Sequence, residues 1–215
     1  MTSTRVTGVL TDGTRITAVT TPTMKLEAEK FLFTVPLPNL CSILGQTAPQ
    51  HYVKSLQKIK YLGNICLVLR LSEKLSETYW LNVNDPGFPF VGVIEHTNLD
   101  SEQNYGGDHI VYLSRYINVS DKVWGYSDEE YYNYAFTHLQ KMFPNAKKEL
   151  VKDFAIWRAT HAQPITNINY SANIPDYEMP FANGFLSTMA QIYPEDRGTN
   201  YAVREGKKIA KMIGK

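Results

Sequence analysis

The chain has 215 residues, 43% of them hydrophobic, and its 22 Lys and Arg nearly balance its 21 Asp and Glu. This balance gives no electrostatic argument for binding to nucleic acid or to an anionic membrane surface. No apolar run approaches the roughly 18 residues of a membrane span, and the N-terminus lacks a secretory signal, so we expect a cytoplasmic globular protein.

The first part of the chain predicts a hairpin, a strand and two helices. Asp12-Gly13 separates two short β-prone runs within residues 4–20, which is typical of a β-hairpin. The apolar run KFLFTVP, residues 30–36, closes with a proline and predicts a buried strand. Residues 38–59 predict two helical pieces.

The middle of the chain is rich in predicted strands, which lie at residues 61–72, 78–84, 90–98 and 109–118. The connections between them are too short for crossover helices, so we expect an antiparallel sheet.

The last part of the chain predicts two helices and two strands. Ser127 and Glu130 form a capping box, and the helix that it opens should end before Pro144. Residues 150–165 predict a strand, residues 184–193 the last strand, and residues 199–212 the last helix. The buried face of that helix is predicted to contain Ala202, Val203, Ile209, Ala210 and Ile213.

The turn before the last helix has the chemistry of an anion site. A helix N-terminus presents unpaired N–H groups and a partial positive charge. Gly198 permits close approach, Arg197 adds a cation, and Thr199 can serve as the N-cap. A capped helix after a solvated turn explains the same residues, and the local chemistry alone favours that simpler interpretation.

The segment YPEDRGTNYAVREGKKIA, residues 193–210, resembles the closing segment of flavin-dependent oxidoreductases of the amine oxidase, protoporphyrinogen oxidase and phytoene desaturase group. UDP-galactopyranose-mutase-like proteins are relatives of this group. In it, a strand, a short turn and a helix with small residues four apart lie against FAD. The small residues here are Ala202, Gly206 and Ala210. The resemblance implies that FAD is contacted by Arg197, Gly198, Thr199, Asn200 and Tyr201.

Other segments resemble the same group in the same order. RVTGVLTDGTRITA followed by KFLFTVPLPNL is similar to the part that leaves the cofactor domain, and WRATHAQPI to the strand that returns to it. The resemblance implies an α+β fold with two parts. Residues 39–165 would be an antiparallel β-rich substrate-binding domain with flanking helices. Residues 1–38 and 166–215 would be a remnant of an FAD-binding α/β domain with its C-terminal strand and helix.

The motif that holds the ADP part of FAD in this group is absent. The group opens with a strand, a G-x-G-x-x-G turn and a helix, and this sequence contains no G-x-G-x-x-G. The chain therefore resembles the C-terminal half of such an enzyme, as a fragment, a truncation or one member of a split pair. The expected partners are a small-molecule substrate and either the missing Rossmann half or a second copy that associates through an exposed edge.

Candidate catalytic residues are two histidines at strand ends. His96 follows an apolar strand and is the substrate-side candidate for acid or base chemistry, while Glu95 should point to the opposite face. His161 shares a predicted strand face with Trp157. The expected substrate-binding residues are Trp157, Tyr112 and Tyr116, although each of these residues is also compatible with ordinary packing. No pair of histidines has ligand spacing and no CxxC occurs, so no metal site is predicted.

The resemblance implies hydride transfer between the substrate and flavin N5 in the complete enzyme. Two alternatives stay open. The first is a flavin-dependent, non-redox, mutase-like activity on a nucleotide sugar, for which Arg115, Arg158 and several tyrosines would bind the diphosphate. The second is an inactive fragment or a partner-binding module without a cofactor.

Overall fold

The computed structural model describes residues 1–214 and divides them into two compact units. The first unit contains Met1–Lys60 and the chain from Pro164 onward, and the second contains Tyr61–Gln163. The predicted substrate-binding domain, residues 39–165, differs from the second unit at both ends, because residues 39–60 and 164–165 lie in the first unit. Lys215, the last residue of the predicted FAD-domain remnant, lies outside the described residues. The functional names of the two domains stay predictions.

A three-stranded antiparallel sheet opens the first unit, and its strands are β1 (Gly8–Thr11), β2 (Ile16–Thr20) and β3 (Lys25–Glu27). The hairpin predicted at Asp12-Gly13 is confirmed. The Asp12 carboxylate accepts hydrogen bonds from the N–H groups of Arg15 (2.8 Å) and Thr14 (2.9 Å). Gly13 has a φ of 101°, which a glycine adopts without strain. The short strand β3 was not predicted.

Two strands of the first unit pair in parallel, β4 (Phe31–Phe33) and β10 (Gly184–Leu186). Between them in the chain come the two predicted helices, α1 (Leu37–Leu44) and α2 (Gln50–Leu56). The prediction of a strand over residues 184–193 was too long, because a 3₁₀ turn forms at Met189–Gln191. This turn has its own capping box, in which the Thr188 N–H donates to Gln191 Oε1 at 2.7 Å.

Helix α4 (Thr199–Ile213) ends the described part of the first unit. The prediction of its buried face was partly wrong: Glu205 and Ile209 are buried, whereas Ala202, Val203 and Ala210 are exposed. A charged residue occupies the core-facing position because its carboxylate accepts hydrogen bonds inside the unit, from the side chains of Tyr177 and Arg204. The apolar pattern therefore identifies Ile209 but not the buried charged position four residues before it.

The second unit is a five-stranded sheet with one long helix on it. The strand order is β6-β7-β8-β5-β9, with β5 (Tyr61–Leu71), β6 (Trp80–Asn82), β7 (Gly92–Glu95), β8 (His109–Ile117) and β9 (Val151–Pro164). The pairs β6–β7, β7–β8 and β5–β8 are antiparallel, as predicted. The helix is α3 (Asp128–Met142), and it ends two residues before Pro144. The predicted α+β class is confirmed.

One face of this sheet and α3 enclose the core of the second unit. Alternate residues of β5, such as Ile65 and Leu67, are fully buried against α3, together with Val111 and Leu113 of β8. From α3, the core receives Tyr131, Tyr132, Ala135, Phe136 and Leu139. Since side chains alternate along a strand, the residues between these core positions must point to the other face.

Within residues 1–214, no helix has the length and hydropathy that crossing a membrane would require.

Candidate functional site

The sheet face that points away from α3 carries several of the predicted substrate-side residues, and we call it the open face. Tyr112 and Tyr116 of β8 lie on it, because they alternate with the core residues Val111 and Leu113. Their partners on β5, Val68 and Asn64, lie on the same face, and Asn64 donates a hydrogen bond to Ser114 (3.0 Å). The open face thus carries aromatic, polar and aliphatic side chains, and it lies outside the core that packs against α3.

Trp157 of β9 also points to the open face. Its neighbour Arg158 turns toward α3, where its guanidinium bonds to Asp128 Oδ1 (2.5 Å) and to the carbonyl oxygen of Tyr126 (2.7 Å). Trp157 is therefore directed the other way, and it is 68% exposed. A large aromatic side chain with this exposure is available for contact with a flat or apolar group.

His161 lies on β9 and makes an aromatic contact. Its ring lies edge-on to the ring of Tyr61, with centroids 5.7 Å apart. The structure therefore pairs this predicted catalytic residue with Tyr61.

His96 begins a 3₁₀ turn directly after β7 and belongs to a hydrogen-bonded cluster. Its Nε2 lies 2.6 Å from the hydroxyl oxygen of Tyr105, and that hydroxyl donates to Asp100 Oδ2 at 3.2 Å. The ring of Tyr112 packs edge-on against the imidazole, with centroids 6.1 Å apart. The structure thus joins the predicted residues His96 and Tyr112 to Asp100 and Tyr105, and we call these four residues the His96 cluster.

Asp100 is held in its ionised form by neighbouring donors. Its Oδ1 accepts hydrogen bonds from the Asn104 side chain (2.8 Å) and the Ser101 N–H (2.9 Å). The Asn104 bond, with smaller contributions from Tyr105 and Ser101, holds the pKa of Asp100 below its usual value. Burial and the hydrogen bond to Asp100 raise the pKa of the Tyr105 hydroxyl, which therefore keeps its proton.

Sequence reasoning missed Asp100 and Tyr105. They lie in the loop NLDSEQNYGGD, which has no strand or helix period and no motif with a known role. Only the path of the loop brings the carboxylate and the hydroxyl to the imidazole.

Glu95 has a structural role, in agreement with its predicted orientation. It is 1% exposed, and its carboxylate accepts hydrogen bonds from the backbone N–H groups of Leu75 and Ser76, both at 2.7 Å. It therefore anchors the loop after β5 and does not join His96.

In the first unit, the start of α4 has unpaired backbone donors. The first helical hydrogen bonds are those of Tyr201 and Ala202, whose N–H groups donate to the Gly198 carbonyl oxygen at 3.1 Å. Gly198 rather than Thr199 is the N-cap, and no side chain caps the helix. Within residues 1–214, the N–H groups of Thr199 and Asn200 have no acceptor. Two free N–H groups at the positive end of a helix can donate to an anion or another electron-rich group.

Arg197 is bound to protein groups around this turn. Its Nε donates to the Met189 carbonyl oxygen (3.1 Å) and its Nη2 to Thr166 Oγ1 (3.2 Å). The guanidinium also lies over the ring of Tyr170, 5.7 Å from its centroid. The side chain therefore shapes the turn, and its charge adds to the positive potential there.

An apolar cleft of about 230 Å³ lies beside α4 in the first unit. Its lining includes Leu32 of β4, Ile192, Ala202, Gly206 and Ile209. Ala202 and Gly206 belong to the small-residue stripe, so another backbone or a cofactor can approach the helix closely. In the described part of the chain, β10 is the only strand that pairs with β4.

The fold is similar to those of several solved structures. One is a protein from Exiguobacterium sp. 255-15 assigned as a protoporphyrinogen oxidase (TM-score 0.74, 14% identity, 98% of this chain and 46% of that chain). Another is a single-residue mutant of putrescine oxidase (TM-score 0.69, 12% identity, 98% of this chain and 48% of that chain). A third is reduced UDP-galactopyranose mutase (TM-score 0.62, 13% identity, 79% of this chain and 36% of that chain). The chain thus spans less than half of each structure, and at these identities the likeness establishes the fold alone.

The comparison with curated proteins gives no match. The family model described as flavin containing amine oxidoreductase matches residues 1–180, which is well over half of the chain. The match ends before α4, so the proposed role of that helix depends on its geometry. The group suggested by the sequence is confirmed, and this chain belongs to the family of flavin-containing amine oxidoreductases.

Proposed function

We propose that this chain is the substrate-binding and C-terminal FAD-contacting portion of a flavin-dependent oxidoreductase. The observation that carries the proposal is the uncapped start of α4, with its two unpaired N–H groups, in a chain of a flavin family. When bound, the flavin supplies the acceptor for a hydride. The protein binds and orients the reactants and handles protons.

The proposed cofactor contacts are made by the segment from Arg197 to Tyr201. The N–H groups of Thr199 and Asn200 would donate to the cofactor, and Gly198 permits its close approach. Arg197 would hold the turn through Met189 and Thr166 and add positive charge.

The proposed substrate contacts belong to the second unit. Trp157, Tyr112 and Tyr116 would provide aromatic contact area for a small molecule on the open face. His96 would exchange a proton with it. His161, which contacts Tyr61, would be a second acid or base near the end of β9.

We further propose that FAD binding requires a Rossmann-type segment, whether it lies on this polypeptide or on another. A parallel sheet of two strands is too small to be stable alone, because parallel sheets are normally larger and covered on both faces. The free edge of β4 and the small-residue wall of the cleft would receive one more strand and a closely packed helix.

The experiment is a titration with FAD, followed by visible absorption, of the chain alone and of the chain mixed with a Rossmann-type segment from the family. We expect flavin to be retained only by the mixture. Gly206→Leu should abolish retention by filling the cleft, and it should not disturb the chain itself, because a Cβ at Gly206 meets no atom within 4 Å. Lys207→Leu, on the neighbouring exposed position outside the cleft, is the matched control and should retain flavin.

A wild-type mixture that retains no flavin would contradict the cofactor role and leave a partner-binding module as the better account. The mutase-like alternative gains no support from the geometry, since both arginines that it relied on lie on the α3 side of the sheet. Arg158 bonds to Asp128, and Arg115 lies opposite the core residue Ile65.

A further inference from the structure

We propose that Asp100 and Tyr105 are positioning residues that hold His96 as the tautomer protonated on Nε2, so that Nδ1 is its basic atom. This inference rests on the proposed substrate-side role of His96. It assigns a direction to the proton transfer and adds two residues to the site.

The hydrogen-bonded chain that reaches His96 starts at Asp100. The Asp100 carboxylate is ionised and can only accept, and its Oδ1 is already bonded to Asn104 and Ser101. Its Oδ2 lies 3.2 Å from the Tyr105 hydroxyl oxygen, which has one proton to donate. That proton therefore belongs between Tyr105 and Asp100.

With its proton directed to Asp100, the Tyr105 oxygen can only accept from His96, whose Nε2 is 2.6 Å away. Nε2 must then carry a proton. In the opposite arrangement, the Tyr105 hydroxyl would donate its proton to His96. The lone pairs of the Tyr105 oxygen would then face the Asp100 carboxylate at 3.2 Å, with no proton between the two oxygens. A hydrogen bond to an ionised acceptor is the stronger one, so the first arrangement is favoured.

Nδ1 of His96 makes no hydrogen bond to any residue of the described chain, and it is not one of the buried atoms that lack a partner. In a neutral imidazole protonated on Nε2, Nδ1 carries the lone pair. The edge contacts with Tyr105 and Tyr112 (centroids 5.4 and 6.1 Å away) limit rotation of the ring. Nδ1 is thus the open, proton-accepting atom.

The lone pair on Nδ1 can accept a proton from the substrate. A substrate amine or alcohol that gives up a hydride to the flavin must also lose the proton of its N–H or O–H group. That proton forms a bond to Nδ1 of His96, and the resulting imidazolium keeps its Nε2–H bond to Tyr105. The Asp100 carboxylate, at the far end of the same chain, stabilises the positive charge.

The experiment measures the tautomer directly in the chain without cofactor or substrate. The protein is labelled with ¹⁵N in its histidines, and two-bond NMR correlations are recorded at alkaline pH, where imidazole is neutral. The His96 signals are assigned by their loss in His96→Gln. We expect a protonated Nε2 and an unprotonated Nδ1 in the wild type, and a mixture of tautomers in both Tyr105→Phe and Asp100→Asn.

Tyr134→Phe is the matched control, because Tyr134 makes a comparable ring contact with His138 (5.1 Å) and lies outside the His96 cluster. It should leave the His96 signals unchanged. The other four histidines report whether each variant is folded. A wild-type His96 protonated on Nδ1, or present as an equal mixture, would overturn the inference even if no variant folds. Since no flavin is present, a failure of the proposed cofactor role would not alter this result.

Discussion

Glu205 shows how a charged residue can occupy the buried face of the last helix. Only 7% of it is exposed, and its carboxylate accepts hydrogen bonds from the Tyr177 hydroxyl and from Arg204 Nε (2.9 Å). Burial by itself would raise the pKa of Glu205, but the bonds from Tyr177 and Arg204 together hold the pKa below its ordinary value. The folded state therefore binds this proton less tightly than the unfolded chain does.

This lowered pKa predicts a pH dependence of stability. The stabilisation by Glu205 is fully present above the unfolded pKa of 4.5 and is lost as the pH falls through the lower folded pKa. We expect the thermal unfolding midpoint of Glu205→Gln to fall less steeply than that of the wild type as the pH is lowered below about 5. Glu149→Gln, at an exposed position, should follow the wild type. An unchanged slope in Glu205→Gln would show that the carboxylate is not stabilised by folding.

At the scale of elements, the starts of α3 and α4 behave differently. Ser127 and Glu130 form both hydrogen bonds of a capping box at α3, with the Ser127 N–H donating to Glu130 Oε2 at 2.8 Å. The S-x-x-E pattern predicted this from local sequence, because all the partners lie within one turn. At α4, Thr199 was expected to cap, but the helix begins one residue earlier than that prediction required, at the Gly198 N-cap. Because Gly198 has no side chain that could cap the helix, the N–H groups of Thr199 and Asn200 have no acceptor within the described residues.

The capping box of α3 predicts a measurable contribution to stability. Ser127→Ala removes the acceptor for the Glu130 N–H, and we expect the free energy of unfolding to fall by about 1 kcal/mol. Lys141→Ala, on the exposed last turn of the same helix, should change it by less than about 0.5 kcal/mol. Urea unfolding followed by circular dichroism measures both. Equal effects of the two substitutions would argue against the cap.

At the scale of the whole molecule, the two units have different proposed roles, substrate binding in the second unit and cofactor contact in the first. The second unit has its own core between the sheet and α3, and its open face carries the substrate-side candidates. The first unit has a two-stranded parallel sheet whose strand β4 offers a free edge. Leu32 on β4 is 42% exposed, which leaves an apolar side chain beside the cleft.

The free edge of β4 predicts that the chain self-associates when no Rossmann-type segment is present. We expect sedimentation equilibrium to detect oligomers at high protein concentration, and Leu32→Lys to shift the population toward monomer by placing a charge on the edge. Val119→Lys is the matched control, since Val119 is equally exposed (41%) but lies in the second unit. A wild type that stays monomeric at every concentration would contradict the prediction.

The sequence by itself determined the features that depend on near neighbours in the chain. These are the hairpin at Asp12-Gly13, the capping box at Ser127, the alternation that places Tyr112 and Tyr116 on one sheet face, and the ordered motifs that resemble the family. Their hydrogen bonds and periodicities are local, so residue type and spacing are sufficient to predict them.

Only the tertiary structure decided which side chains meet across loops and between elements. It joined Asp100 and Tyr105 to His96, bound Arg197 to Met189 and Thr166, and buried Glu205 against Tyr177. These contacts depend on where distant or irregular segments pass one another, and on which polar atoms are left to be satisfied when the core closes. No periodicity in the sequence predicts where these segments meet or which polar atoms need a partner.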